Sequence, residues 1–344
     1  MQQQMIRGWT VAVLAAATMT GGELAAQAAT PAPQLSVSGV GYAQWNYNLS
    51  GTQHNNVFDV TRTYLNFNAK FSGGVATRVT PDIYRNGDGS LGYRLKYGYV
   101  SYQPNAGNLT YKFGLIQTPW LSREEDLYDY RMQGGMAWER GGYLSSADFG
   151  LSADAKFMSG RLDVNAGVYN GETYKKTEGD QRKDFMARAS YRLGTSDDNS
   201  ASGGLRLTAY AGIGRPTGGG NRDRYIGMLS YKSTRWTLAA EYGMTRDSST
   251  VAPTALTKGS IITAFGVYRL PASKIALIAR VDLTDPNTDL SNDRQTRIIG
   301  GVSYQLSPNL RLLGDVDLLS HEAGDPTIPV DARNQALVQV QFTF

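Results

Sequence analysis

The sequence predicts an all-β protein, a transmembrane antiparallel β-barrel of about 16 strands with short periplasmic turns and long extracellular loops. Three observations predict it. Segments of about ten residues alternate apolar and polar side chains from Leu35 to the end. Their connections alternate between tight turns and longer polar loops. An export segment precedes them.

The export segment has Arg7, the apolar run Val11 to Met19, and the small residues Ala25-Ala26-Gln27-Ala28. This is the layout of a signal peptide, and the run is too short to span a bilayer comfortably. Residues 1–28 are therefore expected to be cleaved and 29–344 to form the barrel. Cleavage removes one base, Arg7, and one acid, Glu23, so the net charge of +4 is unchanged. Such a weak excess argues against nucleic acid as a partner. The mean hydropathy of −0.36 does not oppose a membrane barrel, whose strands spend half their positions on polar side chains. The chain contains no Cys, which fits export through an oxidising compartment.

The last strand shows the alternation best: Ala336, Val338, Val340, Phe342 and Phe344 on one face, Leu337, Gln339, Gln341 and Thr343 on the other. Strands are expected to start near Leu35, Val57, Gly74, Leu91, Asn108, Asp148, Arg161, Lys183, Gly204, Arg224, Arg235, Gly259, Lys274, Arg294, Asn309 and Asn334. Near Arg224 and Gly259 the register is ambiguous, because Ile226/Met228 and Ile261/Ile262 put apolar residues on both parities. Tight turns fall at Ser72-Gly73-Gly74, Met158-Ser159-Gly160 and Ser307-Pro308-Asn309, among others. Longer loops alternate with them, which places both termini on the periplasmic side. Only the connection Gly194 to Ser202 is longer than this rule expects. A sandwich would have to hide the charged face that each strand offers, and about sixteen strands enclose more space than side chains can fill, so a water-filled channel is expected.

The longest connection runs from Thr118 to Ala147 and carries Arg123, Glu124, Glu125, Asp126, Asp129 and Arg131. A thirty-residue loop in a compact protein usually has a job. It is expected to fold inward as a constriction, the alternative being a solvated outer loop. If even-numbered residues of the first strands face the lumen, Arg62, Lys70, Arg78, Arg94, Lys96 and Lys112 form a basic stripe opposite that acidic loop, with Asp82 the nearby exception. Charges lining a pore select permeants by sign, and a mild anion preference is expected.

The stretch from Phe58 to Leu127 resembles the phosphate-selective porin O and P family. The resemblance rests on Phe58-Asp59-Val60-Thr61-Arg62-Thr63-Tyr64-Leu65, on Tyr99-Val100-Ser101-Tyr102, and on Lys112-Phe113-Gly114-Leu115-Ile116-Gln117-Thr118-Pro119-Trp120 leading into the acidic loop. It implies a sixteen-strand trimeric outer-membrane porin for anions. Family members often carry a pair of Arg where this chain has Thr61-Arg62, so the expected function is broader: passive diffusion of small hydrophilic solutes and ions. Expected partners are small anionic solutes, outer-membrane lipid and lipopolysaccharide, and the other subunits of a homotrimer. The alternative is an outer-membrane barrel acting through its loops as adhesin, receptor or structural protein.

Catalysis and metal binding have little material. The only imidazoles are His54 and His321, so neither a positioned His base nor a His-built metal site is expected. Asp285, Asn287 and Asp289 have the spacing of a calcium loop, but Leu290 stands where such a loop needs Gly. No cofactor and no enzymatic activity are expected.

Overall fold

A computed structural model describes residues 31–104, 107–216, 219–248, 255–322 and 333–344. The expected signal peptide lies outside these residues. Sixteen strands follow one another: β1 Gln34–Asn48, β2 Asn56–Lys70, β3 Val75–Arg85, β4 Leu91–Tyr102, β5 Leu109–Gln117, β6 Ala147–Phe157, β7 Leu162–Tyr169 and β8 Asp184–Gly194 form the first half. The second half is β9 Gly204–Gly214, β10 Arg222–Lys232, β11 Trp236–Ser248, β12 Leu256–Arg269, β13 Ile275–Asp285, β14 Gln295–Ser307, β15 Leu310–His321 and β16 Asn334–Thr343. Every strand pairs antiparallel with its sequence neighbours, and β1 closes on β16. Each strand starts within three residues of its expected start. Alternation locates strands well because a strand facing lipid on one side and water on the other has no other way to distribute its side chains.

Closure leaves no free sheet edge, so backbone N–H and C=O groups are satisfied where no water can reach them. The seam is tied at its periplasmic end by the Gly39 and Phe344 backbones, which exchange hydrogen bonds of 2.9 and 3.2 Å. Outward positions carry large apolar side chains such as Phe58, Phe67, Phe113, Phe185 and Leu229, all exposed. Inward positions on β2–β7 carry many polar side chains, among them Arg62, Asn66, Arg78, Asp82 and Asp154. On β9–β15 they include Tyr210, Ile226, Met228, Ile261, Phe265, Ile278 and Leu313, all buried.

The two ambiguous registers resolve accordingly. Ile226, Met228 and Ile261 point into the barrel and are buried, whereas Ile262 faces outward. These inward apolar residues are covered by the connection between β5 and β6. It contains helix α1, Pro119–Leu127, a 3-10 turn at Arg131–Gln133 and the short helix α2, Ala137–Arg140. Pro119 opens α1 at a position whose N–H would have no intrahelical partner.

Candidate functional site

Loop residues 118–146 lie inside the barrel along its inner wall. The Tyr130 hydroxyl meets the Ser303 hydroxyl at 2.8 Å, and Gln339 Nε2 donates to the Met132 carbonyl at 2.7 Å. Gln133 Nε2 donates to Asp315 at 3.0 Å, and Arg280 Nη1 donates to the Gly135 carbonyl at 3.1 Å. The wall engaged therefore reaches from β13 to β16. Apolar anchors reinforce it: Trp120 packs near Tyr210 (centroids 5.9 Å apart), Tyr128 near Phe265 (4.8 Å), and Trp138 against the backbone of Gly243. Trp120, Leu121, Leu127, Tyr128, Met136 and Trp138 are almost wholly removed from water. At roughly 25 cal/mol per Å² of apolar surface, this burial is what holds the loop against the wall.

The wall left uncovered is β1–β4, and five of the six basic residues of the expected stripe sit on the inner side, or close to it, of β2–β5. Arg62 lies 4.0 Å from Asp82 and 4.4 Å from the centre of the Tyr64 ring. Arg78 donates to Asn66 at 2.7 Å and to Thr80 at 2.9 Å. Arg94 lies over the Tyr84 and Tyr174 rings and donates to the Tyr174 hydroxyl at 3.2 Å. Lys96 is fully buried, bonded to the Ser146 hydroxyl and 4.0 Å from the Tyr174 ring centre. Lys112, on β5, pairs with Asp154 at 2.8 Å. Lys70 is the exception, exposed at the end of β2.

Parity alone would not have placed all of them. A bulge inserts Thr61 between Val60 and Arg62 on β2, and another inserts Lys96 between Leu95 and Tyr97 on β4. Each bulge switches which parity faces inward. Phe58 and Val60 therefore face out while Arg62 faces in, and Lys96 and Tyr97 are both buried. Pro81 sits opposite the second bulge, where a strand tolerates a residue without an N–H.

The acidic residues of the loop do not form one front toward this stripe; they divide between the two sides of the loop. Glu125 and Glu139 both pair with Arg131, Glu125 at 2.8 Å, and this cluster faces Arg62 and Lys96. Burial opposes the charge of Arg131, but its two carboxylates outweigh that and hold its pKa above the ordinary range. Burial likewise opposes the Glu139 charge, yet Arg131 and Lys96 hold its carboxyl below the usual value. Asp129 points the other way, to Lys232 at 3.2 Å and to Arg269. The Asp126 carbonyl accepts from Lys232 at 3.3 Å. Glu124 is fully buried against Glu241 of β11, and Arg123 donates to the Ala201 carbonyl at 3.1 Å.

Between stripe and loop lies a polar cleft of ≈ 550 Å³, bordered by Arg62, Arg94, Arg131, Glu139, Arg140 and Lys175. On its far side Asp317 is shared by Arg140 (2.8 Å) and Arg297 (2.6 Å). Nothing in the sequence singles out Tyr174 or Lys175. They reach the cleft from loops, where no alternation reports direction. His54 lies exposed, Glu322 lies 3.6 Å from Arg294, and no three metal-ligating side chains are grouped among the described residues.

No protein-family model and no curated protein matches the sequence. Solved structures do match in shape. An anion-selective porin from Comamonas acidovorans superposes with a TM-score of 0.67 at 14% identity, over 91% of this chain and 100% of that one. OmpF of Salmonella typhi gives 0.66 at 13%, over 90% and 97%. OmpT, an outer membrane protein of Vibrio cholerae, in its trimer form gives 0.65 at 13%, over 91% and 100%. The chain has the closed sixteen-strand fold of the bacterial outer-membrane porins.

Proposed function

We propose that the chain, once freed of residues 1–28, is an outer-membrane porin that lets small hydrophilic solutes and ions diffuse passively, with a mild preference for anions. The observation that carries this reading is the charge balance around the cleft. Arg62, Arg78, Arg94, Lys96 and Arg131 are met by only three nearby carboxylates among the described residues, Asp82, Glu125 and Glu139. Arg78 and Arg94 are held by hydroxyls, an amide and aromatic rings instead of carboxylates, so their positive potential reaches the lumen. The likeness to an anion-selective porin supports the same reading. The likeness to OmpT, an outer membrane protein in its trimer form, supports a homotrimer, and the outward apolar band would seat it among outer-membrane lipid and lipopolysaccharide. The resemblance to the phosphate-selective family makes phosphate one candidate permeant within this broader anion preference.

The zero-current potential across a bilayer under a KCl gradient tests the preference. The purified protein is expected to favour chloride modestly. Replacing Arg62, Arg94 and Lys112 with Gln leaves Asp82 and Asp154 without their basic partners and should move the potential toward cation preference. Cation preference in the unaltered protein would overturn the assignment.

A further inference from the structure

The longest periplasmic connection, between β8 and β9, reaches into the barrel wall beneath α1. Its Ala201 carbonyl accepts from Arg123 Nη1 at 3.1 Å, and its Gly203 carbonyl accepts from Arg206 Nε at 3.1 Å. Arg188, inward on β8, joins them, and Asp163 of β7 takes its Nη2 at 2.5 Å. All three arginines are nine-tenths or more buried: Arg123 is 5% exposed, Arg188 7% and Arg206 2%. Five of their nitrogens find no hydrogen-bond partner among the described residues: Nε and Nη2 of Arg123, Nε and Nη1 of Arg188, and Nη1 of Arg206.

Buried donors are almost always satisfied, and each one left unmade costs about 1–3 kcal/mol. Here five such donors belong to three cations that repel one another. Among the described residues, Asp163 is the one carboxylate in ion-pair contact with the cluster, and Asp126 is the other acid in its neighbourhood. Burial first, and then the Arg188 and Arg206 cations, push the Arg123 guanidinium down to about 10. Guanidinium forks match the spacing of oxygens on a tetrahedral oxyanion and bind it with paired N–H bonds.

We propose that Arg123, Arg188 and Arg206 bind a small dianionic oxyanion of the sulfate type, which clamps α1 and the Gly194 to Ser202 connection to the wall. This site is separate from the basic stripe. It does not depend on ion permeation, because the anion is held as part of the structure. The arrangement also gives that unusually long connection a role that a short turn could not fill, since its carbonyls orient two of the three forks.

Thermal unfolding of the purified barrel in detergent, at constant ionic strength, tests the site with sulfate as the probe and chloride as the reference. Sulfate should raise the midpoint saturably, as any ligand of the folded state does. Half-saturation should require at least tenfold more sulfate in Arg206→Gln and in Arg123→Lys, which keeps charge but loses the fork. Arg294→Gln, on an exposed outer loop, should respond like the unaltered protein. Equal midpoints in sulfate and chloride, or equal sulfate response in all variants, would overturn the proposal. Crystals grown with selenate give a reading that needs no variant. Anomalous density touching all three guanidiniums is expected, and ordered water alone at that position would overturn it.

Discussion

Glu124 and Glu241 face each other, both almost wholly buried, with no basic group within ion-pair distance among the described residues. The nearest charges are Arg280, which is engaged by Asp282 at 2.7 Å, and Asp282 itself. Burial, then the facing Glu241 carboxylate, pushes Glu124 well above its ordinary value of 4.5. A carboxyl whose folded pKa is raised holds its proton in the docked state while the unfolded chain has already lost it. Its contribution to stability is full below about pH 4.5 and falls as pH rises toward the folded value. The unaltered protein should therefore unfold at progressively lower temperature as pH is raised above about 5. Each tenfold difference in proton affinity between folded and unfolded chain is worth about 1.4 kcal/mol. Glu124→Gln should flatten that dependence, and a slope unchanged by the substitution would contradict it. None of this was legible in the sequence, where Glu124 is one acid in a run of three. The stripe was more legible: Arg78 and Arg94 follow from alternation, and Arg62 follows from the part of β2 beyond its bulge. Lys96, by contrast, owes its position to a bulge that residue identity does not announce.

The element that decides the lumen is the connection between β5 and β6. Its length was visible in the sequence, but its route was not. A signal for the route did exist in the two strands with ambiguous register. Ile226, Met228 and Ile261 are inward apolar residues because they form the floor on which Trp120, Tyr128 and Trp138 pack. A barrel strand with apolar residues on both parities marks wall that another element covers. The close approach of Trp138 depends on Gly243, where an added Cβ would lie 2.4 Å from the indole and 2.9 Å from the Tyr225 carbonyl. Gly243→Ala should lift the indole and cost about 1–3 kcal/mol, as overpacking does. Near-UV circular dichroism should lose part of its tryptophan signal while the far-UV β spectrum persists. An unaltered near-UV spectrum would show that the loop is not seated there.

For the whole molecule, sixteen strands fix a circumference too wide for side chains alone to fill. The loop fills one side, against β8–β16, and leaves the polar cleft beside β1–β4. Strand count and order were readable because alternation and turn rhythm persist along the chain, whereas the width of the passage depends on loop packing between residues more than a hundred positions apart, such as Met132 and Gln339. A barrel of this width with a polar cleft along one wall should conduct ions. In planar-bilayer recording, addition of the purified protein should produce discrete, reproducible steps of ionic current. A folded barrel that inserts yet adds no current above that of the bare bilayer would exclude a porin and favour a barrel acting through its outer loops.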